Sequence, residues 1–223
     1  MTDSAPAKTP AAVGTAAGAA LAPHVAELVS LSAAIAVSDL PAVERHAAAA
    51  LAAGADSVAL YETVLQSYLF VGFPRAIEAF FAVRPLLPDA ATAWPRVVDP
   101  ERWRRDGEAL CARVYGRNYE KLLGTMRGLS PDLARWMLLE GYGKTLSRPG
   151  LDAATREYAV LAILTATRMW RQLRSHAIGA VNVGGTREGV RAAIVRGEPF
   201  AGADAVAEAL RVTGLAEGSD AAR

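Results

Sequence analysis

Residues 27–54 read ELVSLSAAIAVSDLPAVERHAAAALAAG, and residues 157–184 read EYAVLAILTATRMWRQLRSHAIGAVNVG. The second stretch repeats the first after a shift of 130 positions without a gap. Each begins with a glutamate, carries a histidine 19 positions later and ends in a glycine 8 positions beyond that histidine. Copies of an internal repeat usually each form one supersecondary unit. We therefore expect two copies of a unit in which one helix bears the glutamate, a second helix bears the histidine, and the glycine precedes a third helix.

The sequence between the two chain ends is typical of helices. Apolar residues recur at spacings of three and four, and no long alternation of Val, Ile or Thr indicates a strand. Gly72 followed by Pro74 predicts the end of one helix and the start of the next, a break that the second copy, with VRGEP at residues 195–199, is expected to lack. The predicted fold class is all-α, a bundle of about nine or ten helices built from two related repeats. Helix starts are predicted at Asp39, Asp56, Asp99, Ser130 and Asp152.

The chain is predicted to divide into five parts. Residues 1–21, which are mostly Ala, Thr, Pro and Gly, are expected to form a disordered leader, and residues 215–223 a flexible tail. Residues 22–87 are the first repeat and residues 131–214 the second. Residues 88–130 form a helical connection between them.

Composition excludes several classes of function. The 223 residues carry 24 basic and 23 acidic side chains, so no excess of positive charge favours binding to nucleic acid or to an anionic membrane. No apolar stretch is long enough to span a bilayer, and the leader lacks the unbroken apolar core of a secretory signal. The single cysteine allows no internal disulfide, which is typical of a reducing compartment. We therefore expect a cytoplasmic protein without a membrane or nucleic-acid partner.

The repeated glutamates and histidines are the candidate chemical groups. Glu27 and Glu157 fall in the first turn of a predicted helix, and His46 and His176 fall in the middle of the next one. An antiparallel hairpin does not by itself bring each pair into contact. A glutamate in a first helical turn also interacts favourably with the helix dipole without any chemistry. For the first copy, a buried core histidine is as good an interpretation as a catalytic one.

Motifs in the second copy resemble a known family. The run Leu146-Ser147-Arg148-Pro149-Gly150-Leu151-Asp152 is followed by Thr155-Arg156-Glu157 and by Arg174-Ser175-His176. Together with the first copy, these motifs are similar to the carboxymuconolactone decarboxylase family, which belongs to the all-helical superfamily of alkylhydroperoxidase D-like proteins. The resemblance covers most of residues 22–195.

The peroxidase branch of that superfamily works through a Cys-x-x-Cys motif, which this chain lacks. At the matching positions stand Met169 and Gln172 in the second copy, and Asp39 and Ala42 in the first. Attack on a peroxide needs a thiolate and a second thiol that resolves the sulfenic acid. Cys111 lies elsewhere among apolar neighbours and is expected to be buried and inert. Peroxidase activity, including residual activity of Cys111 alone, is therefore disfavoured.

The decarboxylase branch lacks the cysteines and keeps the histidine. The resemblance therefore implies decarboxylation of a small anionic lactone or keto acid, with no metal and no organic cofactor. His176 would donate or accept the proton, and Glu157 would orient or charge the site. The alternative, of a different class, is a non-catalytic helical assembly or ligand-binding protein. Substrate binding is assigned to Arg148, Arg156 and Tyr142, and a possible second site to His46 and Glu27.

Two further expectations concern the rim of the site and the assembly. Arg168, Arg171 and Arg174 surround Trp170 and form either a basic rim for an anionic ligand or a solvated face. Single-repeat relatives form trimers or hexamers with sites between subunits. The resemblance therefore implies a homotrimer of two-copy chains, which is equivalent to a pseudo-hexamer.

Overall fold

The computed structural model describes residues 20–87 and 98–216, and within these ranges the chain is all-α, as predicted. Most of the predicted leader and tail, and residues 88–97 of the predicted connection, lie outside the described residues. None of the described helices is both long and apolar enough to cross a membrane. The helices are α1 (Pro23–Val37), α2 (Leu40–Ala52), α3 (Ser57–Val83), α4 (Pro100–Tyr115), α5 (Tyr119–Leu129), α6 (Pro131–Trp136), α7 (Ala153–Ala166), α8 (Trp170–Asn182), α9 (Arg187–Val195), α10 (Glu198–Ala201) and α11 (Ala203–Thr213), with a π-helix, Met137–Leu146, continuing α6.

The predicted helix starts are confirmed by their capping bonds. In each case the side chain of the predicted residue accepts a hydrogen bond from the backbone N–H three positions on, which satisfies one of the free donors of the first turn. The number of α-helices in the described part is slightly higher than predicted, since α10 has only 4 residues and is too short to show helical periodicity. The capping residues are Asp39, Asp56, Asp99, Ser130 and Asp152.

The two copies of the repeat adopt the same backbone conformation at their turns. Helix α8 begins and ends 130 positions after α2. In the preceding turns, Ser38 has a φ of 61° and Arg168, 130 positions on, has a φ of 57°. Positive φ is uncommon for residues other than glycine, so its recurrence at matching positions indicates a shared turn. Two related helical repeats are therefore present, as the sequence predicts.

The second copy also repeats the break in α3, and the expectation that it lacks this break is wrong. Gly72 interrupts α3 with a φ of 79°, and Gly202, 130 positions later, has a φ of 85° and precedes α11. Both positions need a conformation that glycine adopts easily. The sequence concealed the match because Ala203 and Asp204 stand where the first copy has Phe73 and Pro74.

Helices α1 and α7 form the centre of the bundle. Residues 28–36 of α1 and residues 155–165 of α7 are all buried, and the two helices pack against each other. Burial on all sides explains why neither helix shows a polar stripe in its sequence. Each fully buried leucine, such as Leu31 or Leu161, contributes about 1.5–3 kcal/mol. Helix α2 packs on α1 and α8 packs on α7, so each histidine helix lies beside a glutamate helix.

The connection between the copies supplies α4, which packs closely against the π-helix. A Cβ on Gly107 would lie 2.1 Å from the carbonyl oxygen of Leu138, and one on Gly143 would lie 1.9 Å from that of Trp103. Two glycines therefore allow the two backbones to approach closely. Helix α4 also packs on α8, so α4 and the π-helix belong to the surroundings of His176.

Candidate active site

A buried glutamate–histidine pair joins α7 to α8. Nδ1 of His176 lies 2.7 Å from Oε2 of Glu157, and both side chains are largely excluded from solvent. The sequence does not determine whether these two side chains touch, and the structure shows that they do. An ionised carboxylate only accepts hydrogen bonds, so Nδ1 of the ring is the donor in this contact. Nε2, on the other side of the ring, is then left for a proton exchange with a ligand.

The first copy forms the same pair with an additional cation. Nδ1 of His46 lies 2.7 Å from Oε2 of Glu27, while the guanidinium of Arg196 donates to Oε1 of Glu27 and, at 3.1 Å, to the carbonyl oxygen of Ala26. Burial alone would raise the pKa of Glu27, but the hydrogen bonds from His46 and Arg196 outweigh it and hold this pKa below its usual value. At the first pair, an arginine of the second copy therefore shares the carboxylate with the histidine.

At the second pair, a glutamine of the first copy takes the place of this arginine. Gln66 lies 130 positions before Arg196, and its Nε2 donates to the carbonyl oxygen of Arg156 at 3.3 Å, as Arg196 does to Ala26. Because the side chain at position 66 is neutral, it brings no positive charge to Glu157. The two pairs therefore have the same geometry and different electrostatics.

Each histidine packs against a phenylalanine of the other copy. The ring of Phe70 meets His176 edge-on at 5.8 Å between centroids, and the ring of Phe200 meets His46 at 5.9 Å. Phe70 and Phe200 are themselves 130 positions apart. Each copy thus supplies the aromatic residue that packs on the histidine of the other copy, and the two contacts are related by a pseudo-twofold axis.

His176 lines a cleft of about 1130 Å³. Six helical elements form it: α3, α4, α5, α6, the π-helix and α8. Tyr142, predicted as a substrate-binding residue, also lines this cleft, whereas Arg148 and Arg156 do not. Two arginines of the predicted basic rim, Arg171 and Arg174, do line it, while Arg168 pairs with Asp204 at 2.8 Å instead.

Two tyrosine hydroxyls lie near Glu157 at the cleft. The rings of Tyr115 and Tyr142 meet edge-on at 6.2 Å between centroids. Burial raises the pKa of Tyr115 to about 12 and that of Tyr142 well above its usual value, and the charge of Glu157 adds to both. Both hydroxyls are therefore protonated at neutral pH and are able to donate. Tyr115 was not predicted as a site residue, since nothing near it in the sequence marks a site.

Arg148 and Arg156, expected to bind the substrate carboxylate, instead bind Glu62. Nε of Arg148 lies 2.9 Å from Oε1 of Glu62, and Nη2 of Arg156 lies 2.9 Å from Oε2. Arg156 also donates to Gln66 at 3.2 Å and to the carbonyl oxygen of Arg148 at 2.8 Å. Glu62 is fully buried, and a buried carboxylate needs such partners. We call Glu62, Arg148, Arg156 and Gln66 the buried ion cluster. It holds the first turns of α7 in place through Arg156, which directly precedes Glu157.

Cys111 is enclosed in the core. It is fully buried in α4, and burial, with a contribution from the charge of Glu157, raises the pKa of its thiol to about 12. A thiol with this pKa is almost entirely protonated at neutral pH and is a poor nucleophile. The described residues contain no group of three or more His, Cys, Asp or Glu side chains arranged to hold a metal ion.

Two helical repeats, each with a glutamate–histidine pair set against an aromatic residue of the other, define a tandem member of an all-helical class. The sequence model of the carboxymuconolactone decarboxylase family matches residues 7–85 and 131–214, and the chain belongs to this family. The resemblance identified from the sequence is therefore confirmed.

Two curated relatives share part of this sequence. Over 140 residues the chain is 31% identical to Peroxisomal protein 2 of Schizosaccharomyces pombe, an alignment that covers 60% of this chain and 64% of that protein. Over 72 residues it is 32% identical to the nitrosuccinic acid decarboxylase npaB of Metarhizium robertsii, with 32% of this chain and 50% of that protein covered. The chain thus spans less than two thirds of the length of these relatives. Membership of this family and the similarity to the second relative together indicate that the chain belongs to a decarboxylase-like family.

Proposed function

We propose that this protein is a cofactor-independent decarboxylase of an anionic carboxylate, with His176 as the proton donor. The observation that carries the proposal is the buried pair of His176 and Glu157 on a large cleft. A histidine is suited to proton transfer near neutral pH. The hydrogen bond to Glu157 holds the ring in place.

The chemistry needs an electron sink and a proton. The bond between the carboxylate carbon and its neighbour breaks, carbon dioxide leaves, and the electron pair passes to an adjacent carbonyl or nitro group. Nε2 of protonated His176 then delivers the proton that forms the new C–H bond, and water restores the proton to the ring. Carboxymuconolactone, with its lactone carbonyl, and nitrosuccinate, the substrate in the name of the second relative, both offer such a sink.

Charge on the cleft supports an anionic substrate. Arg171 and Arg174 line it, and among the described residues neither guanidinium is paired with a carboxylate. A guanidinium binds a carboxylate through two parallel hydrogen bonds. The protonated hydroxyls of Tyr115 and Tyr142 are suited to donate hydrogen bonds to the charge that develops on the sink. Arg171 and Arg174 therefore take the role first assigned to Arg148 and Arg156.

We assign catalysis to the second copy. Glu27 is already bound by the guanidinium of Arg196 as well as by His46, and both members of the first pair are partly exposed to solvent. Glu157, in contrast, is buried with His176 on the cleft. In this assignment Glu27, His46 and Arg196 tie α1, α2 and the end of α9 together and take no part in the reaction.

The proposal predicts release of carbon dioxide from a carboxylate with an adjacent electron sink. Purified protein is incubated with carboxymuconolactone and, separately, with nitrosuccinate, and carbon dioxide is followed against a heat-denatured control. We expect release to exceed the control with at least one of them, and to persist after dialysis against a chelator, since the mechanism uses only protein groups. No release from either substrate, with unchanged stability in their presence, would favour the non-catalytic alternative.

We further propose that the chain is a cytoplasmic homotrimer. Phe73, Ile77 and Phe81 lie four residues apart on α3 and are 67%, 48% and 71% exposed, a stripe of the kind found at protein interfaces. Light scattering is expected to give about three times the chain mass of 23.4 kDa. Ile77→Asp is expected to lower this mass, and a wild-type mass of one chain at micromolar concentration would contradict the trimer.

A further inference from the structure

The cleft that holds His176 is large for a small lactone or keto acid. Its volume of about 1130 Å³ exceeds the roughly 300–1,000 Å³ of pockets that bury whole drug-sized ligands. A substrate that only has to place a carboxylate and a carbonyl near His176 would leave most of this space to water. The residues that line this remaining space therefore indicate the chemical character of the rest of the substrate.

The lining differs in chemistry from one helix to another. The residues that helix α8 contributes are polar or charged except Ile178; they are Arg171, Gln172, Arg174, Ser175 and His176. Helices α5 and α6 and the start of the π-helix contribute mainly apolar side chains. These apolar residues are Leu122, Met126, Leu129, Leu133, Trp136 and Met137. We call them the apolar wall.

We propose that the substrate is an amphipathic carboxylate, whose anionic end binds at α8 and whose apolar chain or ring system, of about six carbons or more, lies on the apolar wall. For the reacting end of the substrate, this proposal rests on the proposed function. It adds the chemical class of the part of the substrate that does not react. Leu129, Leu133 and Trp136 are 71%, 49% and 52% exposed, and an apolar ligand body would remove this surface from water.

The charge on the cleft favours this occupant over another protein surface. The apolar wall shares one cleft with a buried, paired histidine and with two arginines that carry no carboxylate partner among the described residues. A ligand with one anionic end and one apolar end matches both parts. The stripe of Phe73, Ile77 and Phe81 lies outside this cleft and is the surface that we assign to self-association.

The test measures affinity against chain length with unreactive carboxylates. Butanoate, hexanoate and octanoate are titrated calorimetrically into the full-length protein. Each methylene that is fully buried is expected to strengthen binding by about fourfold. Octanoate should therefore bind on the order of 10²-fold more tightly than butanoate. Octan-1-ol, which lacks the charge, should bind at least about tenfold more weakly than octanoate, because charge-assisted hydrogen bonds are lost.

Two variants test whether the gain in affinity with chain length arises at the apolar wall, and a third variant is the control. Leu133→Asp on exposed α6 and Met126→Asp on α5 are expected to reduce the gain from butanoate to octanoate to less than about fivefold, since a carboxylate on the wall repels the ligand and keeps water in place. Val37→Asp changes a 38% exposed apolar residue outside the cleft and should leave the gain unchanged. Leu133 is already half exposed, so this variant should fold even if Met126→Asp does not.

Three outcomes would overturn the inference. Equal affinity for all three carboxylates is one, and a gain that persists in both variants is another. The third is a lower mass in light scattering for Leu133→Asp and Met126→Asp than for the wild type. This result would show that a second copy of the chain occupies the apolar wall. Turnover of a short substrate with a flat series would refute the inference alone. A steep series without carbon dioxide release would refute the decarboxylase alone.

Discussion

Replacement of His176 by alanine is expected to lower kcat for decarboxylation by about 10²–10⁴-fold, the usual contribution of a general acid. His176 is the histidine that lines the cleft, and its Nδ1 is held by Glu157 at 2.7 Å. Without the imidazole, the carbanion left by carbon dioxide must take its proton from water. Initial rates measured with the best carboxylate substrate give the size of the loss.

The matched control is the same change in the first copy. His46→Ala removes a histidine with the same glutamate contact and should change kcat by less than about threefold, because we propose that this pair takes no part in the reaction. His176→Gln, which keeps most of the side-chain volume, separates loss of the acid from loss of packing. Added imidazole should restore part of the activity of His176→Ala. Equal losses in the two alanine variants would place catalysis in both copies or in neither.

Replacement of Glu62 by glutamine is expected to cost about 3–5 kcal/mol of unfolding free energy. Glu62 is fully buried and binds Arg148 and Arg156, and the side chain of Arg156 is 3% exposed. Glutamine has nearly the same shape but no charge, so the guanidinium of Arg156 is left in the interior without a counter-ion. Urea unfolding followed by circular dichroism measures the loss.

A second variant tests whether the cost comes from the uncompensated charge. Glu62→Met combined with Arg156→Met removes both buried charges and should cost less than Glu62→Gln alone, since buried ion pairs often exchange for apolar pairs with little loss. Glu208→Gln, at an exposed pair with Arg211, is the surface control and should change stability by no more than about 1 kcal/mol. A loss of similar size for Glu62→Gln and Glu208→Gln would show that water reaches the cluster.

The repeat was the part of the structure that the sequence revealed most fully. A gapless shift of 130 positions aligned Glu27 with Glu157 and His46 with His176, and local capping residues marked five of the eleven described α-helix starts. These signals are local or periodic, so one sequence is enough to find them. The same shift also aligns Phe70 with Phe200 and Gln66 with Arg196, and applying it to the whole chain would have drawn attention to both positions.

The roles of the arginines were not predictable in the same way. Arg148 and Arg156 stand in the family motif, but their side chains are taken by Glu62, which lies 86 and 94 positions away. Arg148 and Arg156 are held away from the cleft by Glu62, a buried carboxylate far away in the sequence. Tyr115 was missed for the same reason, because α4 is brought beside the π-helix by glycine contacts rather than by any local pattern.

The exchange of phenylalanines between the copies has a consequence for how this chain diverged. A symmetric homodimer of one repeat must carry the same residue on both sides of its twofold axis, so any change near one histidine also occurs near the other. Joining the copies in a single chain removes that constraint. Gln66 faces the second pair and Arg196 the first, a difference that no twofold-symmetric ancestor is able to hold. Covalent fusion thus allows one half to hold the proton donor that we propose, while the pair in the other half joins helices.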